Sequence, residues 1–108
     1  MGRHLILEVY DVNSNLLNDV ESLKNVFIRG IERAKMTILN IFSYSFTPQG
    51  VTIVVALSES HATCHSWPEK CCIAIDVYTC GDKNPKIIVI ELLKYLNSYN
   101  YKLRELYR

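Results

Sequence analysis

Leu16, Val20, Leu23, Phe27, Ile31 and Ala34 recur at steps of three and four, the clearest periodic signal in the chain. That spacing lays one apolar stripe along a helix, and the stripe has to be buried against something. Asn13, Ser14 and Asn15 precede it as N-cap candidates. The partner surface comes from short strand-like runs. His4 to Tyr10 is rich in Leu, Ile and Val and reads as a strand. Thr37 to Phe46 reads as another, with Ile38, Phe42, Tyr44 and Phe46 on one side. Pro48-Gln49-Gly50 is a turn, so Val51 to Leu57 returns antiparallel as a hairpin. A polar stretch with one proline, Ser58 to Lys70, interrupts the pattern and reads as a loop. Cys72 to Cys80 then alternates Ile73, Ile75 and Val77 with Ala74, Asp76 and Tyr78. Gly81 to Asn84 turns the chain, and Pro85 suits a first helical position. Ile88, Leu92, Tyr95 and Tyr99 make a second helical face, and Tyr101 to Tyr107 reads as an edge strand. The order β-α-β-β-β-α-β predicts an α+β fold, a two-layer sandwich with an antiparallel sheet and both helices on one face.

At 108 residues the chain makes one domain, 1–108, without linker or repeat. Twelve basic against eleven acidic side chains exclude the strongly basic signature of a nucleic-acid binder. The longest apolar runs, Val51 to Leu57 and Ile87 to Ile90, are too short to cross a bilayer, so no membrane partner is expected. Met1-Gly2-Arg3-His4 does not begin a signal peptide, and the expectation is a soluble, cytoplasmic protein. Cys64, Cys71, Cys72 and Cys80 show no C-x-x-C pair, and at least three are expected to be buried free thiols.

Ser58 to Lys70 holds two histidines, a thiol, two carboxylates and the sole tryptophan within thirteen positions. Ser60 with His65 reads as nucleophile and base. A solvated loop with chance histidines is the alternative, and spacing alone favours it.

Glu59-Ser60-His61, then His65-Ser66-Trp67-Pro68-Glu69, then Asp76-Val77-Tyr78-Thr79-Cys80-Gly81 together resemble the prokaryotic S-adenosylmethionine decarboxylases. Gly2-Arg3-His4-Leu5 and Phe46-x-Pro48-x-Gly50-Val51 are similar to the same family, so the resemblance covers residues 2 to about 96. It implies a pyruvoyl enzyme that cuts itself, a two-layer fold, and a homodimer of processed protomers whose sites lie between them. Cleavage between Glu59 and Ser60 would give chains 1–59 and 60–108. Ser60 would attack the Glu59 carbonyl, exchange amide for ester, and after elimination and hydrolysis become the pyruvoyl group.

By resemblance His65 is the base in processing, and Thr52 stands where the family usually has a processing serine. Cys80 matches the family's proton donor to the decarboxylated substrate. Phe46 matches an aromatic that stacks on adenine, with Trp67 in the same frame, and Glu69 matches a carboxylate that holds ribose hydroxyls. On residue type alone both aromatics read equally as core, and Glu8 either lines the cleft or faces water. The cofactor implied is the pyruvoyl group from Ser60, with neither pyridoxal phosphate nor a metal. Tyr44-Ser45 and Lys70-Cys71-Cys72 replace His-Arg and Tyr-Gly-Tyr of many relatives, so arginine and ornithine remain alternative substrates to S-adenosylmethionine. A non-catalytic partner subunit is a second class of reading. Zinc held by Cys64, His65, Cys71 and Cys80 is a distant third.

Overall fold

The computed structural model describes Met1–Arg108. In β1 (Gly2–Tyr10), Leu5, Leu7 and Val9 are buried, while His4, Ile6 and Glu8 alternate onto the other face. A short helix α1 (Ser14–Leu17) follows, capped by the Asn13 side chain on the Asn15 amide. The main helix α2 (Val20–Arg33) starts afresh at Asp19, whose carboxylate accepts from the Ser22 amide at 3.1 Å. The single helix expected from the stripe is therefore two, and Leu17 rather than Leu16 is fully buried.

β2 (Ile38–Ser45), β3 (Val51–Leu57), β4 (Ser60–Trp67) and β5 (Cys72–Cys80) form a meander, with a 3-10 turn at Pro68–Lys70 before β5. α3 (Lys86–Leu96) crosses back and β6 (Asn100–Tyr107) closes the edge. The six strands run β2-β3-β4-β5-β1-β6, antiparallel at every pairing. Leu23, Phe27 and Ile31 of α2 and Ile88, Leu92 and Leu96 of α3 pack with the inward residues of β1, β3 and β5 into one core. Gly30 lets the two helices meet, since a Cβ there would lie 3.1 Å from the Ile88 Cα. No helix is long and apolar enough to cross a membrane.

The α+β class and the antiparallel sheet beneath helices are as the sequence predicts, with one strand more. Ser60–Trp67 is not a loop. It is β4, paired to β3 on one side and β5 on the other. Its inward residues, Ala62, Cys64 and Ser66, are small, and its outward ones are mostly polar, so it carries little strand propensity of its own. Three smaller expectations also change. A bulge between Ile38 and Asn40 puts Ile38 and Phe42 on opposite faces. The left-handed Asn97 ends α3, leaving Tyr99 94% exposed while Leu96 takes the core position. Only Cys64 of the four thiols is buried. Cys71 follows the 3-10 turn at φ 53°, and Cys72 and Cys80 stand on the uncovered side of β5.

The β3–β4 hairpin is closed by Ser58 and Glu59 between the paired residues Leu57 and Ser60. Favoured two-residue hairpins need positive φ inside the turn. Neither Ser58 nor Glu59 has it; Ser60 does, at φ 141°. The mismatch between turn and strand twist is thus carried by a residue with a Cβ, at a cost of about 1–3 kcal/mol. Glycine would escape that cost but lose roughly 0.4–1 kcal/mol through its looser unfolded chain. Ser60→Gly should therefore melt above Ser60→Ala, by about 1 kcal/mol or roughly 4–8 °C. Equal melting of the two variants would mean that residue 60 carries no such strain.

Candidate active site

The sheet face opposite the helices is uncovered, with Cys80, Thr52, His65 and Trp67 on it, and the candidate residues form two clusters at opposite ends of β4; Ser60 itself pairs with buried Thr79. The hairpin tip makes the first. The Glu59 carbonyl oxygen accepts from the Cys80 amide at 2.9 Å and from the Cys80 thiol at 3.4 Å. Two donors thus converge on the carbonyl that precedes the strained Ser60. The Glu59 carboxylate is also fixed, accepting from the Thr37 amide at 3.1 Å and the Ser58 hydroxyl at 3.0 Å. Its pKa is held below the usual carboxylate value, chiefly by the Thr37 amide; burial pushes the other way, and Ser58 and the Lys83 charge add further lowering. On the neighbouring rows of the same face, His61 and His4 each bring a ring centroid to 5.8 Å from Tyr78, and His4 pairs with Asp76 at 3.0 Å.

The second cluster lines a cleft of about 300 Å³ that includes Phe46, Thr52, His65, Ser66, Trp67 and Glu69. The Thr52 hydroxyl and His65 Nδ1 share a hydrogen bond of 2.7 Å, set by their direct pairing across β3 and β4. In the tautomer whose Nδ1–H donates to Thr52, Nε2 is free to act as a base. Trp67 tilts against His65 with ring centroids 6.2 Å apart. Phe46 is 51% and Trp67 40% exposed, so neither is a core aromatic. Tyr44 meets Phe46 edge-on at 4.8 Å. Glu69 sits in the 3-10 turn at the cleft's rim.

Side chains that the sequence did not single out build this cleft. Buried Ser66 donates to the Leu17 carbonyl at 2.6 Å and accepts from the Val51 amide at 3.0 Å, tying α1, β3 and β4 together. Asn18 Oδ1 accepts from the Gly50 amide at 3.0 Å, and the Phe46 amide donates to Gly50, so the β2–β3 turn is held on both sides. A polar residue on the inward face of a strand is the signal for Ser66, visible only once β4 is known to be a strand.

Ser60 and His65 lie five residues apart on β4, or about 17 Å along the strand. One chain therefore does not bring the serine to the histidine. Cys80 is with Ser60; Thr52, Phe46, Trp67 and Glu69 are with His65. Glu8 lines neither group: its carboxylate accepts from the Tyr10 hydroxyl at 3.1 Å beside Lys102 and Arg104. It does stand in register with His65, with only Ala74 between them. Cys64 and His65 point to opposite faces, so the four possible zinc ligands do not converge. Burial pushes the Cys64 thiol up to about 12, which leaves it un-ionised and inert.

A family model described as S-adenosylmethionine decarboxylase matches residues 3–108. The chain belongs to the S-adenosylmethionine decarboxylase family. An S-adenosylmethionine decarboxylase proenzyme of Prochlorococcus marinus is 40% identical over all of this chain and 87% of its own length. One from Caldanaerobacter subterraneus is 38% identical over all of this chain and 88% of its own. The crystal structure of the adenosylmethionine decarboxylase of Aquifex aeolicus superposes with a TM-score of 0.94 at 29% identity, covering this chain fully and 90% of that one. A Trypanosoma brucei AdoMetDC monomer shares the fold alone, with a TM-score of 0.67 at 11% identity over 94% of this chain and 44% of its own. For this decarboxylase-family chain the cleft geometry makes a direct prediction. Ser66→Ala should leave the Val51 amide and Leu17 carbonyl unpartnered and cost about 1–3 kcal/mol. A thermal melt should fall by several degrees; an unchanged melt would mean that Ser66 ties nothing together.

Proposed function

We propose that this chain is a self-processing, pyruvoyl-dependent S-adenosylmethionine decarboxylase that makes the aminopropyl donor of polyamine synthesis. The observation that carries it is the Glu59 carbonyl, gripped by two Cys80 donors next to a serine in a strained backbone. That arrangement fits the pyruvoyl group, because it is what an N→O acyl shift at Ser60 requires. Ser60 Oγ adds to the Glu59 carbonyl carbon, and the negative charge that develops falls on the oxygen already facing the Cys80 N–H and S–H. Expulsion of the Ser60 nitrogen leaves an ester. A base removes the Ser60 α-proton, the ester breaks to release Glu59 with a free main-chain carboxylate and leave dehydroalanine at residue 60, and water then replaces ammonia to leave the ketone.

The base is His65 of a second copy, backed by that copy's Thr52. The separation of about 17 Å within a chain supports an assembled site, with Glu59, Ser60 and Cys80 from one protomer. Thr52, His65, Phe46, Trp67 and Glu69 come from the other. The uncovered sheet face supports the same reading: Phe42, Tyr44, Val54 and Trp67 are 40–58% exposed there, an apolar surface suited to a second copy of itself.

When formed, the pyruvoyl group supplies a ketone that binds the substrate amine and accepts the electrons released with carbon dioxide. Cleavage takes away the carbonyl to which the Cys80 thiol is bonded, so Sγ becomes free to return a proton to the substrate's α-carbon. Phe46 and Trp67 offer flat faces to an adenine and a sulfonium cation, and Glu69 offers paired acceptors to ribose hydroxyls. Arginine and ornithine have no use for such a cleft.

Mass spectrometry of purified protein should show fragments 1–59 and 60–108, the second blocked at its N-terminus, while Ser60→Ala stays intact. A wild-type chain that never cleaves would sink the mechanism. Ser60→Ala and His65→Ala are each expected to be inactive. Refolded together, they should cleave the His65→Ala chain in mixed dimers, since one site there keeps both groups. Failure of the mixture to cleave, while wild type does, would place both groups in a single chain's site. Carbon dioxide release from carboxyl-labelled S-adenosylmethionine, ornithine and arginine, compared as kcat/KM, tests the substrate. Preference for a basic amino acid would overturn the substrate assignment and leave the maturation chemistry in place.

A further inference from the structure

Ser58 and Glu59 close a hairpin without the positive φ that such turns favour, yet Ser60 re-enters β4 in register, opposite Thr79. Something must stop the turn from relaxing and passing the misfit elsewhere. Residue 59 is held at both ends. Its main-chain oxygen is fixed to Cys80 at the end of β5. Its carboxylate is fixed to the Thr37 amide just ahead of β2, at 3.1 Å, and to its own turn through the Ser58 hydroxyl. The Ser58 amide in turn donates to the Thr37 carbonyl at 3.0 Å, so the hairpin tip and the approach to β2 grip each other reciprocally. Lys83 lies close enough to add its charge, and it is tethered there by donating to the Lys35 carbonyl at 3.0 Å.

With Glu59 held through both its main-chain oxygen and its carboxylate, the misfit shows at the torsion about the Ser60 N–Cα bond, where φ is 141°. That torsion has meaning only while the Ser60 nitrogen belongs to an amide. Once the C–N bond to Glu59 breaks and the acyl group sits on Ser60 Oγ, the nitrogen is a free amine and turns without resistance. Strain of this kind is relieved by the first covalent step of maturation and by no later one.

We propose that the Glu59 carboxylate is a positioning group for maturation: by gripping the Thr37 amide and the Ser58 hydroxyl it holds the Glu59–Ser60 peptide in the strained form from which the acyl shift starts. This rests on the self-processing reading above and adds to it a role for a side chain that the chemistry itself does not use.

The test separates the acyl shift from elimination by trapping the ester with hydroxylamine, which cuts the chain only where the shift has occurred. Glu59→Ala should slow the appearance of hydroxylamine-cleavable chain about fivefold or more. Glu59→Gln keeps an acceptor oxygen and should recover most of the rate, and Ser58→Ala should slow the shift by less than Glu59→Ala. A bond that merely supports the scaffold would lower the melting temperature when removed. In the uncleavable Ser60→Ala background, Glu59→Ala should instead melt at or above its parent, because the strained torsion can relax. Wild-type rates of ester formation in Glu59→Ala would overturn the proposal. So would a slower shift accompanied by a lower melting temperature in the Ser60→Ala background. A wild-type chain that forms neither ester nor fragments would fail the self-processing reading, and the proposal would fall with it; cleavage in wild type at the same rate as in Glu59→Ala would fail the proposal alone.

Discussion

Burial of a single sheet face beneath α2 and α3 fixes the direction of every second side chain in the molecule. Leu5, Leu7 and Val9 go to the helices, so His4, Ile6 and Glu8 go to the other side, and the same parity runs through β3, β4 and β5. Register then lines residues up across strands. Lys102, Glu8, Ala74, His65, Thr52 and Tyr44 form one row spanning all six. The Thr52–His65 hydrogen bond is a product of that row. A slip of one residue in β4 would turn His65 inward and Cys64 outward, losing a core side chain and the Thr52–His65 hydrogen bond together.

The periodic parts of this fold were legible in the amino-acid sequence. The stripe Leu23, Phe27 and Ile31 and the alternation Ile73, Ile75 and Val77 are strong because each of those residues is paid attention by the core alone, being almost fully buried. β4 was hidden by its position. As a strand paired on both sides, it owes its conformation to two hydrogen-bonded neighbours, which lets Ala62, Cys64 and Ser66 face inward and polar groups face out. The site residues could be named from motif resemblance, but their distribution could not. Once Ser60 and His65 are set on an extended strand rather than a loop, they must lie far apart. The contact of Cys80 with the Glu59 carbonyl depends on β5 ending beside the hairpin tip, between residues twenty-one positions apart.

The departures from the family's usual pattern fall beside the cleft rather than at the hairpin tip. Tyr44 is in edge-on contact with Phe46 and opposite Thr52, so it borders both the aromatic wall and the histidine's partner. Lys70 and Cys71 belong to the turn that carries Glu69, and Cys71 holds the turn's left-handed exit while its carbonyl accepts from the Val12 amide at 3.0 Å. Within one chain the groups on the Glu59 carbonyl are thereby kept apart from the cleft around His65.

The strand order would give a break after residue 59 an unusual physical character. Of the part before it, β2 and β3 lie at one edge of the sheet while β1 lies between β5 and β6 of the part after it. The α2 helix belongs to the first part and α3 to the second, and they share one core. Gly2 and Arg108 even exchange backbone hydrogen bonds, joining the first residues to the last. Neither part owns a complete sheet or a complete core, so the two are interleaved rather than docked. A molecule severed there remains one cooperative body, and its halves can part only by unfolding altogether. Refolding would then be a bimolecular encounter between two incomplete chains, with a concentration dependence that the uncut chain never meets.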